Sequence, residues 1–189
     1  MKFNFKTLLF HCFSAFLFIA LLSSATISNA QQIDLNEELA QIEIRIALME
    51  ASDTTVSAAP VKWHLLHMLQ VINAVYDEAL ASNPDQYDSK SNIQWFYVST
   101  FQKIPRGKVT APDRVNPSFD ISEKEIRTEL AKTRERLAKW SSLEKNNYFN
   151  HFILLHLNKR KLPKFLKVHT RHHLGIVNDI IEKKPSANS

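Results

Sequence analysis

The sequence predicts an all-α protein, an up-down four-helix bundle with a long crossover between its second and third helices. Three observations carry that prediction. Only two glycines occur in 189 residues, Gly107 and Gly175, and long stretches carry helical rather than alternating periodicity. Four separate stretches repeat apolar residues at spacings of three and four. Between the second and third of them lies a connection of nearly forty residues, Ser82 to Phe119, and bundles with one long crossover are an established topology.

The first 30 residues stand outside that bundle. Lys2 and Lys6 precede an apolar run from Leu8 to Leu22, and Ser28-Asn29-Ala30 supplies a small-residue exit before Gln31. This is the pattern of a secretory signal peptide cleaved after Ala30, which predicts a periplasmic or secreted protein. The alternative is an uncleaved inner-membrane anchor, because the run is nearly long enough to span a bilayer. Residues 31–189 are 159 in number, the size of a single domain with one core. Loss of Lys2 and Lys6, with no acid removed, lowers the formal charge from +5 to +3. So mild a charge, with no basic stripe, argues against a nucleic-acid partner. Cys12, the only cysteine, falls within the signal region, so packing alone has to hold the domain.

Each helix has its own signature. The first is expected from about Leu35 to Ala51, where Leu35, Leu39, Ile42, Ile46 and Met49 make one apolar stripe. A turn-rich break, Asp53 to Pro60, precedes the second, Val61 to Ala81, with Met68, Val71, Ile72, Val75 and Ala79 inward. The crossover contains the aromatic stretch "NIQWFYVSTF" and the segment "IPRGKVTAP"; a connection this long commonly covers a site or a core edge. Ser122 and Glu125 form a capping box for the third helix, with Ile121 placed to staple onto Ile126. Ile126, Leu130, Leu137 and Trp140 then face inward. A short apolar piece, Phe152 to Leu157, leads to the last helix, where Pro163 suits the first turn and Pro185 the stop.

The last helix also holds "VHTRHHLGIV", residues 168–177. At 100° per residue, His169 and His173 fall within the stripe of Leu162, Phe165, Leu166, Ile176 and Ile180, one turn apart. His172 falls on the edge of the stripe, and Arg171 points away. Two inward imidazoles at i and i+4 can converge on one ion, although such a pair alone is more often packed core. The second helix offers a third ligand in "KWHLLHML": His64 lies nearer the centre of the apolar face and His67 at its polar edge. His151 and His156 are expected at the surface, with an approach to the bundle mouth the alternative for His151. Pro105-Arg106-Gly107 is turn chemistry; loop charges such as Arg106 and Lys108 are usually just solvated, and contact with an anionic substrate over the bundle mouth is the lesser alternative.

The tryptophan that opens the second helix with histidines behind it, "IPRGKVTAP", and "HTRHHLG" together resemble the DinB/YfiT-like superfamily, over roughly residues 35–184. The nearest likeness is to an uncharacterised branch with a PRG-and-AP loop and a terminal HHL segment. The resemblance implies a four-helix bundle holding a divalent metal, zinc or nickel, on three histidines. Carried over by position, the last-helix pair is His169 and His173, and Gly175 matches a small residue that follows the pair in many members. The glutamine that often follows is Ile176 here. The usual second-helix ligand, eight residues after the tryptophan, is Val71 here. His67 lies one turn earlier and His64 nearly two, so the resemblance implies His67, His169 and His173 as ligands, with His64 and His172 as alternatives.

That site implies a metal-dependent hydrolase or transferase acting on an unidentified small molecule, with no general base marked by the residues. The alternative is a non-catalytic helical binding module with a degenerate site. A homodimer is compatible with either, and a membrane enters only if the N-terminal segment is retained.

Overall fold

The first apolar stripe folds inward as its spacing predicts: Leu35, Leu39, Ile42, Ile46 and Met49 are all buried. A computed structural model of the chain describes residues 33–107 and 110–183. The signal-peptide reading of residues 1–30, Cys12, Lys108 and Pro185 therefore lie outside the described residues. Helix α1 (Asn36–Arg45) has Glu37 and Glu38 in its first turn and Arg45 in its last, the arrangement that complements the helix dipole. It is shorter than the expected span to Ala51. After Arg45 the backbone tightens into a 3₁₀ turn, Ile46–Leu48, and the freed carbonyls are used elsewhere. Met49 and Ala51 accept the Lys62 and Val61 N–H groups at 2.9 and 3.0 Å. They thus satisfy donors that the start of a helix leaves without intrahelical partners.

Those donors open α2 (Val61–Ala81), the central helix, whose buried residues continue almost all round it from Val61 to Ala79. It packs against helices α4 (Glu123–Ala138) and α5 (Leu162–Glu182), while α1 packs against the same two. The start of α4 is as predicted: Ser122 Oγ accepts the Glu125 N–H at 3.2 Å, and Ile121 and Ile126 are both buried. Across the α2–α4 contact, the Arg136 guanidinium donates to both carboxylate oxygens of Asp77 at 2.8 and 2.7 Å. Helix α5 has Pro163 in its first turn, as expected, and ends where Lys183 adopts a left-handed conformation at φ 52°.

Two segments depart from the expected all-α four-helix bundle, one adding a fifth helix and the other a small sheet. The aromatic stretch of the crossover forms helix α3 (Ile93–Phe101), started by Asn92, whose side chain accepts the Trp95 N–H at 2.8 Å. It lies against α5. The piece expected to lead directly into the last helix is instead a hairpin. Strand β1 (Tyr148–His151) pairs antiparallel with β2 (Leu155–Asn158), in the register Tyr148↔Asn158 to His151↔Leu155. The apolar partners Phe149 and Leu157 are buried facing the core, a period-two pattern too short to stand out in the sequence. The turn is held by His151, whose Nδ1 accepts the N–H groups of Ile153 and Leu154 at 3.0 and 3.1 Å. The described residues are thus mostly helical, with one small antiparallel sheet, and share one core cluster. No described helix is long and apolar enough to cross a membrane.

Candidate metal centre

Helices α2 and α5 bring their histidines face to face in the core. The His67 ring centroid lies 5.2 Å from that of His169 and 4.6 Å from that of His173, and the last two are 4.7 Å apart. One ring nitrogen from each of the three lies within 4.8 Å of the others, close enough to hold a metal ion. Helical spacing explains the pair on α5: residues four apart are stacked neighbours on one face. Its partner on α2 is His67, which is buried rather than at a polar edge. The Val71 position, one turn further along α2, lines a cavity beside the cluster.

Hydrogen bonds fix how the rings present themselves. His67 Nδ1 lies 2.6 Å from the Val115 carbonyl oxygen. A carbonyl only accepts, so Nδ1 carries the proton, and Nε2 of the neutral ring keeps its lone pair. Metal-ligating histidines are commonly oriented in this way, by donating their second N–H to a carbonyl. Trp63 backs the same ring, stacked at 4.7 Å between centroids and 12° between planes. Its indole N–H donates to the Pro117 carbonyl at 2.9 Å.

His64 is buried too, but both its nitrogens are engaged. Its Nδ1 lies 3.0 Å from His173 Nδ1, and its Nε2 lies 3.0 Å from Ser57 Oγ. A His173 that offers Nε2 as a ligand donates its Nδ1 proton to His64 Nδ1. His64 then carries its own proton on Nε2, toward the serine oxygen. His64 thus lies behind His173, outside the group of three close rings.

Burial keeps these rings neutral. It is the largest cause holding the His64 pKa down to about 3 and lowering that of His67, while His169 and His173 are held well below the ordinary value. Neighbouring histidines add to the effect for His64, His169 and His173, because a second positive charge in the cluster would repel the first. Neutral imidazole is the form that ligates. The chemistry of the donor set suits a borderline cation such as zinc or nickel, and one of its atoms has no protein partner. His169 Nδ1 is buried with no hydrogen-bond partner, whereas most buried polar atoms have one.

The other predicted residues fall around this centre. His172 is half-buried at the rim, its pKa pushed down to about 4 by burial and then by the Arg106 charge. It lines the cavity without joining the triad. Arg106 is paired with Asp179 on α5 at 2.7 Å, so its charge is already matched. Gly107 has the left-handed φ of 66° that its turn requires. At Gly175, a Cβ would meet Arg106 only at an ordinary 3.6 Å. Ile176, where the resemblance would place a glutamine, is buried. His151, expected at the surface, instead lines the cavity, and burial holds its pKa to about 4. His156 stays at the periphery, accepting the Asp88 N–H at 2.9 Å and stacking on Tyr148.

Several participants carried no sequence signal. Val115 acts through its backbone, which any residue would offer, and Ser57 sits in a turn-rich break. Beside the cluster lies a cavity of about 610 Å³, bounded mainly by apolar side chains from α2, α3, α5 and the hairpin. Comparison of the chain with protein-family models, with curated proteins and with solved structures found no match.

Proposed function

We propose that this is an exported, DinB-like four-helix-bundle protein that binds one divalent ion, zinc or nickel, through His67, His169 and His173. The observation that carries the reading is the convergence of three neutral imidazoles, one oriented by the Val115 carbonyl and one with a buried nitrogen lacking any partner. Three protein ligands leave a coordination position open, as catalytic rather than structural sites do. The chemistry a bound divalent ion supplies is Lewis acidity toward a carbonyl or a water molecule. The protein's share is to exclude water through Trp63 and the apolar cavity wall, and to hold two of the rings in the ligating tautomer, His67 through Val115 and His173 through His64. The reaction class is a hydrolase- or transferase-type step on a small molecule in the periplasm.

A second reading, a non-catalytic binding module, draws on a separate observation. No carboxylate is among the described residues lining the cavity, and His172, with a pKa near 4, is a weak base at neutral pH. Metal content tests the first reading. Untagged protein is expected to carry close to one equivalent of zinc or nickel, lost in the His169→Ala/His173→Ala double variant. A well-folded wild type that takes up no metal would sink it. Intact mass of the exported protein tests cleavage after Ala30.

A further inference from the structure

The cavity lining is mainly apolar, with polar groups at the three histidines and, on the hairpin side, at Asn150, His151 and Arg114. From His67, α2 lines the cavity with Val71 and Val75, one and two turns further on. From His67 to Val75 the helix advances about 12 Å at 1.5 Å per residue. On the facing side Phe165 lies one turn before His169, with ring centroids 5.8 Å apart, and Phe149 of β1 continues the wall at 6.2 Å from Phe165. The only cations among the described lining residues, Arg114 and any protonated histidine, offer little to a second charged group. Arg114 is paired with Glu78 and lies over the Phe149 ring. Apolar side chains also reach the exposed rim: Ile93, Tyr97 and Phe152 line the cavity while remaining exposed.

We propose that the cavity receives an unbranched medium-chain acyl compound, its carboxylate or carbonyl head among the three histidines and its chain along Val71, Val75 and Phe165. An extended chain advances about 1.2 Å per bond, so the 12 Å wall matches a chain of about ten carbons. A ligand of this size suits a cavity of about 610 Å³. The head-group placement rests on the metal reading above; the chain placement rests on the cavity wall.

Calorimetric titration of the zinc-loaded, untagged protein with hexanoate, octanoate, decanoate and dodecanoate, each below its micellar concentration, tests the proposal. Affinity is expected to rise about fourfold per methylene up to decanoate and then level off. Val71→Phe should remove most of that rise, and Ala74→Leu, a smaller intrusion into the same wall, part of it. A flat series in the wild type, or a rise that a folded Val71→Phe or Ala74→Leu variant leaves unchanged, overturns the chain placement. Metal-stripped protein is expected to bind decanoate at least tenfold more weakly, and equal affinity overturns the head placement. Should the protein take up no zinc, the metal reading and the head placement fail together. The chain-length series on the same protein then still decides the cavity, a rise supporting the acyl chain and a flat series excluding it.

Discussion

Helix α5 carries two polar pairs at i and i+4, and they meet opposite fates. Lys167 and Arg171 face α1, where Arg171 Nε donates to Glu38 Oε1 at 2.7 Å and Lys167 Nζ lies 3.6 Å from the same oxygen. Glu38 is 2% exposed, so this is a buried carboxylate met by two partly exposed cations. His169 and His173, two residues along and so about 200° around the helix, face α2. There they meet only other neutral rings. The first pair brings two cations to one oxygen of a carboxylate, so its charges are matched within the protein even though Glu38 Oε2 is buried without a hydrogen-bond partner. The second pair gathers neutral rings, with His169 Nδ1 also buried without a partner, and an incomplete polar cluster is costly unless something outside the chain completes it. The difference between the two lies in charge matching, not in unpartnered atoms, and it separates an ion cluster from a candidate site on a single helix.

The comparison can be broken most forcefully with acid. Six histidines have lowered pKa values: His64, His67, His151, His169, His172 and His173. Below the ordinary value of 6.5 the unfolded chain binds protons that the folded protein refuses. Stability is therefore complete above that pH and is lost as pH falls toward the folded values, near 4 for His151 and His172 and near 3 for His64. Each ring contributes up to about 1.4 kcal/mol per pH unit. Denaturant titrations of metal-free protein should show several kcal/mol lost between pH 6.5 and 4.5; a flat profile would contradict neutral burial of the cluster.

The ion cluster can be broken singly. Arg171→Leu leaves Glu38 with one distant cation and should cost about 3 kcal/mol in urea unfolding, while leaving metal uptake unchanged. A loss below about 0.5 kcal/mol would show that Glu38 finds another partner. Behind the triad, His64→Ala should weaken metal affinity about tenfold to a hundredfold without abolishing it, measured by competition with a chromophoric chelator. Complete loss would make His64 a ligand, and no change would remove its positioning role. The smallest effect has the opposite sign. His169→Leu replaces a ring bearing an unpartnered nitrogen with an apolar side chain, and should stabilise metal-free protein by about 1 kcal/mol. Thermal unfolding checks it, and a destabilised variant would mean that the nitrogen is satisfied after all.

Much of this arrangement is legible from periodicity. The apolar faces of α1, α2 and α5, the capping box at Ser122 and the inward turn of His169 and His173 all follow from side chains spaced three and four apart, which is local information. The hairpin is less legible, because four-residue strands give too few alternations to be distinguished from a helix fragment. His67 was misplaced for a related reason. A helical wheel ranks positions by apolar neighbours along one helix, and α2 is buried nearly all round, so the polar edge drawn on the wheel is no edge in the fold. His151 was assigned to the surface because nothing near it in sequence reveals that β1 turns it toward the cavity.

The sequence by itself determined the predominance of helix, the inward-facing pair on the last helix and the short list of partners for it, because those depend on spacing within one segment. The tertiary structure places His67, and not His64, within the group of three close rings. That placement depends on the depth at which α2 meets α5, on the Val115 carbonyl reaching back from the crossover, and on Ser57 holding the far side of His64. All three are contacts between segments distant in sequence, and local periodicity says nothing about them.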